Sequence, residues 1–382
     1  MKKLLASLLL AGAVPGTFGQ ALPTPEIAAR DYLLVDMNAQ QVLAERDADA
    51  SVDPASLTKL MTASLVFVAL RDHKLTLQQT LPVSTRAWDE RKAGGSLMFI
   101  DPKLTPTTDE LLQGLIVDSG DDAAVALAEG VAGSVDAFVA MMNRQAQAWG
   151  LKNTTFRNVT GRTEPGHRST ARDLVVIAQH LVRDFPEYNH YYAQRSFDFN
   201  HVHQDNGNLL LSRDSSVDGM KTGYSEAAGW CLLASAQRDF PNGKRRLMAI
   251  VMGADSAQSR ANETQKLLNW GFTAFDDIRL VDAGKPVTTV PVWKGRSAQV
   301  GIGSADAIYV AVPKGEGDHL KTTIERTDPL VAPLAQGQRI GSLKVATASG
   351  TAIAAVPLTV LETVPEAGLI GRAWDAVRLW IK

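Results

Sequence analysis

An α/β domain carrying a helix-rich insertion, then a small all-β domain and a terminal amphipathic helix, is the architecture the sequence predicts. Two strand-like runs, 31–35 and 247–252, lie near the ends of a stretch from Arg30 to about Gly271. Between them, residues 111–116, 123–132, 136–149 and 173–182 carry apolar side chains at three- and four-residue steps, the period of helices with one buried face. After Phe275 the texture changes to short β-rich runs such as 308–312 and 343–345, separated by turns bearing Gly and Pro.

At 382 residues the chain exceeds one ordinary core and suits two folded domains with terminal appendages. The expected division is 1–21, 22–277, 278–364 and 365–382. A formal net charge of -2, without a basic stripe or charge block, argues against a nucleic-acid partner. Met1-Lys2-Lys3 before an apolar run to Val14 has the charged and hydrophobic regions of a secretory signal, too short for a membrane span, with cleavage expected after Ala21. Export agrees with cysteine usage, because Cys231 is the sole cysteine and sits in an apolar strand-like run where it serves packing.

The last segment, 366–382, reads as one helix. Leu369, Ile370, Ala373, Trp374, Val377, Trp380 and Ile381 project to one side, and Arg372, Asp375, Arg378 and Lys382 to the other. Such a segment is expected to lie in a membrane surface with its apolar face down.

Chemistry is concentrated in Pro54-Ala55-Ser56-Leu57-Thr58-Lys59, a helix opening with Asp53 placed to cap and Pro54 suited to the first turn. Serine and lysine three residues apart on a helix share a face, so the amine reaches the hydroxyl. This spacing alone carries little information. Its weight comes from order: Ser119-Gly120-Asp121 opens a later helix, and Lys221-Thr222-Gly223 comes shortly before the strand-like run 229–234. Ser-x-x-Lys, a Ser-Asp-Asn element and Lys-Thr-Gly together mark the penicillin-recognising serine enzymes.

The chain thus resembles the low-molecular-mass penicillin-binding proteins of the D-alanyl-D-alanine carboxypeptidase type, from about Ala28 to the C-terminal helix. Gly95-Ser96-Leu97-Met98-Phe99, Leu151-Lys152-Asn153-Thr154, Ser169-Thr170-Ala171-Arg172-Asp173, Val217-Asp218-Gly219-Met220 and Trp270-Gly271-Phe272 carry the likeness beyond the three boxes. The resemblance implies a penicillin-binding, β-lactamase-like transpeptidase domain that needs no cofactor or metal. It implies peptidoglycan stem peptides ending in D-Ala-D-Ala as substrates, β-lactams as covalent inhibitors, and a location on the periplasmic face of the inner membrane. Ser56 is then the nucleophile, Lys59 its base and Ser119 the relay of a proton to the leaving amine. Lys221 would hold Lys59 neutral by repulsion and attract the substrate carboxylate, with Thr222 and Gly223 beside it. The amides of Ser56 and Tyr224 would form the oxyanion hole, and Arg260 would meet the terminal carboxylate.

Asp121 departs from the family pattern, which has asparagine there. An ionised aspartate only accepts hydrogen bonds, and beside Lys59 it favours the ammonium form, so slower turnover or a displaced pH optimum is expected. A β-lactamase needs a placed glutamate, for which Glu164 is the candidate, and its flanks do not resemble that enzyme's loop. The same motifs also suit a D,D-endopeptidase of this superfamily, and Asp121 would suit a low-activity wall-binding scaffold. His201, His203 and Asp205 read as polar loop rather than zinc ligands.

Overall fold

The computed structural model describes residues 23–369 together with Gly371, Arg372, Trp374 and Asp375. The first domain begins with a hairpin, β1 (Asp31–Asp36) and β2 (Gln41–Arg46), and then the central helix α1 (Lys59–Arg71). A helical layer follows: α2 (Thr85–Asp89), α3 (Thr108–Ile116), α4 (Asp121–Ala132), α5 (Val135–Ala148), α6 (Ala171–Asp184) and α7 (Asn189–Ala193). A small hairpin, β3 (Ser196–Phe199) and β4 (Val202–Asp205), and the short α8 (Leu210–Arg213) lead into β5 (Val217–Ser225), β6 (Gly229–Phe240) and β7 (Gly243–Ala254). Helix α9 (Ala257–Ala274) closes the domain.

The main sheet runs β2-β1-β7-β6-β5 with antiparallel neighbours throughout, so the domain is of the α+β kind. Side chains alternate across its central strands. Leu33, Val35, Met248, Ile250 and Met252 join the core under α1 and α3–α6, whereas Leu34, Leu247, Ala249 and Val251 pack with Leu267, Leu268 and Phe272 of α9. Helix α1 lies inside the helical layer and is buried almost all round, which explains its run of Leu, Met, Ala, Val and Phe without a polar stripe. Its first residue, Lys59, and the short turn carrying Ser56 just ahead of it are therefore held on a rigid element.

The second domain comprises β8 (Phe275–Val281), β9 (Pro286–Trp293), β10 (Gln299–Gly303), β11 (Ile308–Pro313), β12 (Lys321–Arg326), β13 (Leu330–Val331), β14 (Arg339–Ala346) and β15 (Ala352–Val360). One sheet has the order β12-β14-β15-β10-β9-β13, and β11 pairs with β8. Its own core includes Val290, Val300, Ile302, Val310, Leu343 and Leu358. Strand β8 starts directly after α9, so the boundary falls between Ala274 and Phe275, slightly ahead of the expected one.

The domains are tied by polar contacts. The Gln41 side chain accepts from the Ala311 amide at 2.9 Å and donates to the Ala311 carbonyl at 3.2 Å, and Asn242 Nδ2 donates to Asp277 O at 2.9 Å. Arg245, wholly buried, pairs with Asp36 at 2.7 Å and donates to Phe275 O at 2.9 Å. The predicted signal segment 1–21 lies outside the described residues, as does much of the terminal helix. Leu369, Gly371, Arg372, Trp374 and Asp375 are helical. Asp375 accepts from the Lys294 amide at 2.7 Å, while Leu369 and Trp374 are exposed.

Candidate active site

Ser56 lies in a short 3-10 turn, Ala55–Thr58, that runs directly into α1 at Lys59. Pro54, not Asp53, precedes the turn and no side chain caps it; Asp53 instead accepts from the Ala55 amide at 2.8 Å and fixes the chain leading in. Gly161 presses against this turn: its φ is +93°, and a Cβ there would overlap the Ala55 carbonyl. Only glycine satisfies both constraints without shifting Ser56. The adjoining chain is fastened to α1 by Thr62, whose hydroxyl donates to Val159 O at 2.8 Å. His167 Nδ1 accepts from the Arg157 amide at 3.0 Å, so its Nε2–H donates to Thr58 at 2.8 Å. Burial lowers this histidine's pKa, consistent with a neutral structural ring.

Lys59 is 1% exposed, and its three donor directions are filled. Nζ lies 3.0 Å from Ser56 Oγ, 2.7 Å from Asp121 Oδ1 and 2.8 Å from the Thr160 carbonyl. Asp121 and Thr160 are pure acceptors here, so two of its N–H bonds are committed to them and the third direction meets the Ser56 hydroxyl.

Opposite lies β5, the edge strand of the main sheet, with Lys221, Thr222 and Gly223 in its middle rather than ahead of a strand. An ideal Cβ on Gly223 would sit 3.3 Å from the Ser56 amide nitrogen, so the strand and the Ser56 turn are in close contact. Between them opens a cleft of about 620 Å³, lined by Ser56, Ser119, Asp121, Thr222, Tyr224 and Arg260 among others. Ser119, in the turn between α3 and α4, has a φ of +60°, a conformation uncommon for a residue with a side chain and frequent at functional sites. Lys221 is 2% exposed and donates to Thr222 O at 3.3 Å. Burial, then the charges of Lys59 and Arg260, push its amine well below the ordinary lysine value. Mutual repulsion of the two lysines is thus felt at Lys221, while Lys59 has the Asp121 carboxylate.

Residues 19–256 match the family model described as D-alanyl-D-alanine carboxypeptidase, and 275–366 match that of the penicillin-binding protein 5 C-terminal domain. The chain belongs to the D-alanyl-D-alanine carboxypeptidase family. It is 40% identical over 365 residues to the Escherichia coli D-alanyl-D-alanine carboxypeptidase DacC, covering 94% of this chain and 90% of that one. Penicillin-binding protein 5 from Haemophilus influenzae superposes with a TM-score of 0.83 at 38% identity, over 90% of this chain and 100% of that one. Penicillin-binding protein D2 from Listeria monocytogenes in its ampicillin-bound form gives a TM-score of 0.59 at 30% identity, over 66% and 100%.

Within this carboxypeptidase-family cleft, Arg260 reaches from α9 and is largely committed to the backbone. Nη1 donates to Gly223 O at 3.0 Å and Cys231 O at 3.3 Å, and Nη2 to Gly207 O at 3.2 Å. Burial lowers it to about 10, leaving it charged at neutral pH. Tyr224 is half exposed, its ring 4.4 Å from that of Trp230. Cys231 is buried and its thiol pushed up to about 11 by burial, as befits packing. Glu164 is exposed and accepts from Asn158 Nδ2 at 3.1 Å. His201, His203 and Asp205, expected in a loop, instead form part of the β3–β4 hairpin, where His203 pairs with Asp198 at 3.0 Å.

Three site residues escaped sequence reasoning. Asp122 accepts from the Met98 and Ile100 amides at 2.8 and 3.1 Å, pinning the Gly95–Phe99 motif over the cleft. Asp118 lines the cleft with buried carboxylate oxygens that lack hydrogen-bond partners among the described residues, and burial raises it to about 7. Arg162, also lining the cleft, pairs with Asp121 Oδ2 at 3.2 Å and Glu90 at 2.6 Å. Each depends on where loops meet, which local patterns do not encode.

Proposed function

We propose that this serine D-alanyl-D-alanine carboxypeptidase removes the terminal D-alanine from peptidoglycan stem pentapeptides through an acyl-enzyme on Ser56. The observation that carries the reading is the Lys59 amine 3.0 Å from the Ser56 hydroxyl, with Asp121 and Thr160 accepting its other two bonds. In this scheme Lys59 takes the Ser56 proton as Oγ attacks the penultimate D-alanine carbonyl. The amides of Ser56 and Tyr224 receive the developing oxyanion. Ser119 passes a proton to the departing D-alanine nitrogen as the C–N bond breaks, and water then cleaves the ester. Lys221, Thr222 and Arg260 form the polar wall toward which the substrate carboxylate is drawn.

A β-lactam presents the same acyl carbon within a ring, so Ser56 opens it and the tethered leaving group remains in the cleft. Support comes from the family membership and from the ampicillin-bound Listeria relative. The leader-like N-terminus and exposed Leu369 and Trp374 support export to the periplasmic face of the inner membrane, with segment 365–382 as a surface anchor. Incubating the protein with diacetylated L-Lys-D-Ala-D-Ala is expected to release free D-alanine, and fluorescent penicillin to label wild type but not Ser56→Ala. Labelling of Ser56→Ala, or none of the wild type, would overturn the reading. Membrane association is tested by fractionating cells that express residues 1–365, which should lose it.

A further inference from the structure

Asp121 sets a problem for a base at Lys59. A carboxylate 2.7 Å from Nζ, with both side chains almost wholly buried, favours the ammonium and opposes release of its proton. The structure divides that carboxylate. Oδ1 faces Lys59, and Oδ2 receives Arg162 Nη2 at 3.2 Å. Arg162 is anchored in turn by Glu90, at 2.6 Å to its carboxylate and 3.4 Å to its carbonyl.

The loop carrying Gly95 closes over this contact. A Cβ on Gly95 would overlap Asp121 Oδ2 and sit 3.5 Å from Arg162 Nη2. The Asp121 amide donates to Ser96 O at 2.8 Å, so the loop also fixes the residue's backbone. Arg162 is one-third exposed at the cleft rim, whereas Asp121 is shielded from water that would otherwise screen it.

The charged groups around the carboxylate are Lys59 from α1, Arg162 from the segment after Val159, Glu90 with Arg86 behind it, and Lys221 from β5. Asp118 and Asp122 complete the acidic side. Asp122 is occupied by the amides of Met98, Ile100 and Ala123.

We propose that Arg162 is a positioning residue for acylation: by holding Oδ2 and part of the Asp121 charge, it lets Oδ1 orient the Lys59 amine without locking it as an ammonium. The inference rests on the reading of Ser56 and Lys59 as nucleophile and base. It explains how an aspartate is compatible with a lysine base at this position. It also separates Arg162 from a rim residue that merely ties a loop, because a tie through Glu90 alone would not alter the protonation of Lys59.

The test is the second-order rate of acylation by a fluorescent penicillin between pH 5 and 10, with thermal melting of each protein as a control for folding. R162L and R162Q should each move the acidic limb of the profile upward by about one pH unit, slowing acylation at pH 7 roughly tenfold. R162K should restore most of the rate. On a D121N background the same R162L change should move the limb far less, since no carboxylate charge remains to be shared. A wild-type limb in R162L or R162Q, whatever their melting temperatures, overturns the proposal, as does an equal shift in the D121N background. Failure of the underlying reading is distinguishable, because then the wild type itself is not acylated or Ser56→Ala is.

Discussion

Replacing Asp121 by asparagine removes one negative charge from the Lys59 environment while keeping an acceptor for its amine. The contact is 2.7 Å long, between side chains 1% and 6% exposed. At an effective dielectric near 20, two unit charges about 4 Å apart attract by about 4 kcal/mol. Arg162 on the second oxygen and the hydrogen bond retained by the amide both reduce the change. An opposite charge at such range ordinarily biases a protonation equilibrium by about one to three pH units, and the lower half of that span is expected here. Losing the anion disfavours the ammonium, so the acidic limb of the acylation profile moves to lower pH. At pH 6 Asp121→Asn should be labelled by fluorescent penicillin roughly tenfold faster than wild type, with rates converging on the alkaline plateau. Stopped-flow labelling from pH 5 to 10 measures this directly. Superimposable profiles would refute the argument, because the carboxylate would then have no hold on the base.

Three further outcomes follow from the packing. Gly161→Ala forces a Cβ into the Ala55 carbonyl at a φ of +93°, and the displaced nucleophile turn should acylate on the order of a hundredfold more slowly, read by the same labelling. Arg245→Met leaves Asp36 buried without its cation, retaining only the Asn38 and Ala39 amides, and should cost about 3–5 kcal/mol in urea denaturation. Asp277, at the domain junction, is raised from 3.8 to about 7 by burial and by Asp36. The folded state therefore binds its proton more tightly than the unfolded chain, and ionisation costs stability as pH rises through that window. Asp277→Asn should match wild type in melting temperature near pH 4 and exceed it increasingly up to about pH 7, with a constant gap above; a gap independent of pH would contradict this.

Helices α3–α6 and strands β1 and β7 were legible because burial of one face, or of alternate residues, leaves a period in the sequence. Strand β5 was not. Its sequence, Val217 to Ser225, holds two glycines, an aspartate and a lysine, residues depleted in strands, and its pairing comes from β6 on one side only. The same composition suits the proposed function: Lys221 buried within reach of the charges of Lys59 and Asp121, and Gly223 allowing the strand to approach the Ser56 turn. Local propensity was overridden by the site, as it commonly is where a protein departs from its own folding rules. The hydroxyl and amine of Ser56 and Lys59 were readable because both lie on one turn of backbone. Their electrostatic partners arrive from α4 and from the chain around Thr160 and Arg162, far away in sequence, and no spacing rule joins them.

The distribution of charge in the cleft has a consequence for substrate choice. Although the chain as a whole carries a formal charge of -2, the cleft brings Arg162 and Arg260 together with Asp118 and Asp121, and burial holds the nearby Lys221 amine well below the ordinary lysine value. An incoming carboxylate near Thr222 and Arg260 would offset the burial that depresses Lys221 and favour its ammonium form. Substrate binding and protonation of Lys221 are then linked, so that a peptide ending in a free carboxylate recruits its own counter-charge. A peptide amidated at that end provides no such compensation. Discrimination between the two should therefore strengthen as pH falls, because a Lys221 already charged favours the free carboxylate without the cost of taking up a proton. Measuring kcat/KM for the acid and amide forms of one D-Ala-D-Ala peptide across pH 6 to 9 tests the linkage, and a ratio independent of pH would rule it out.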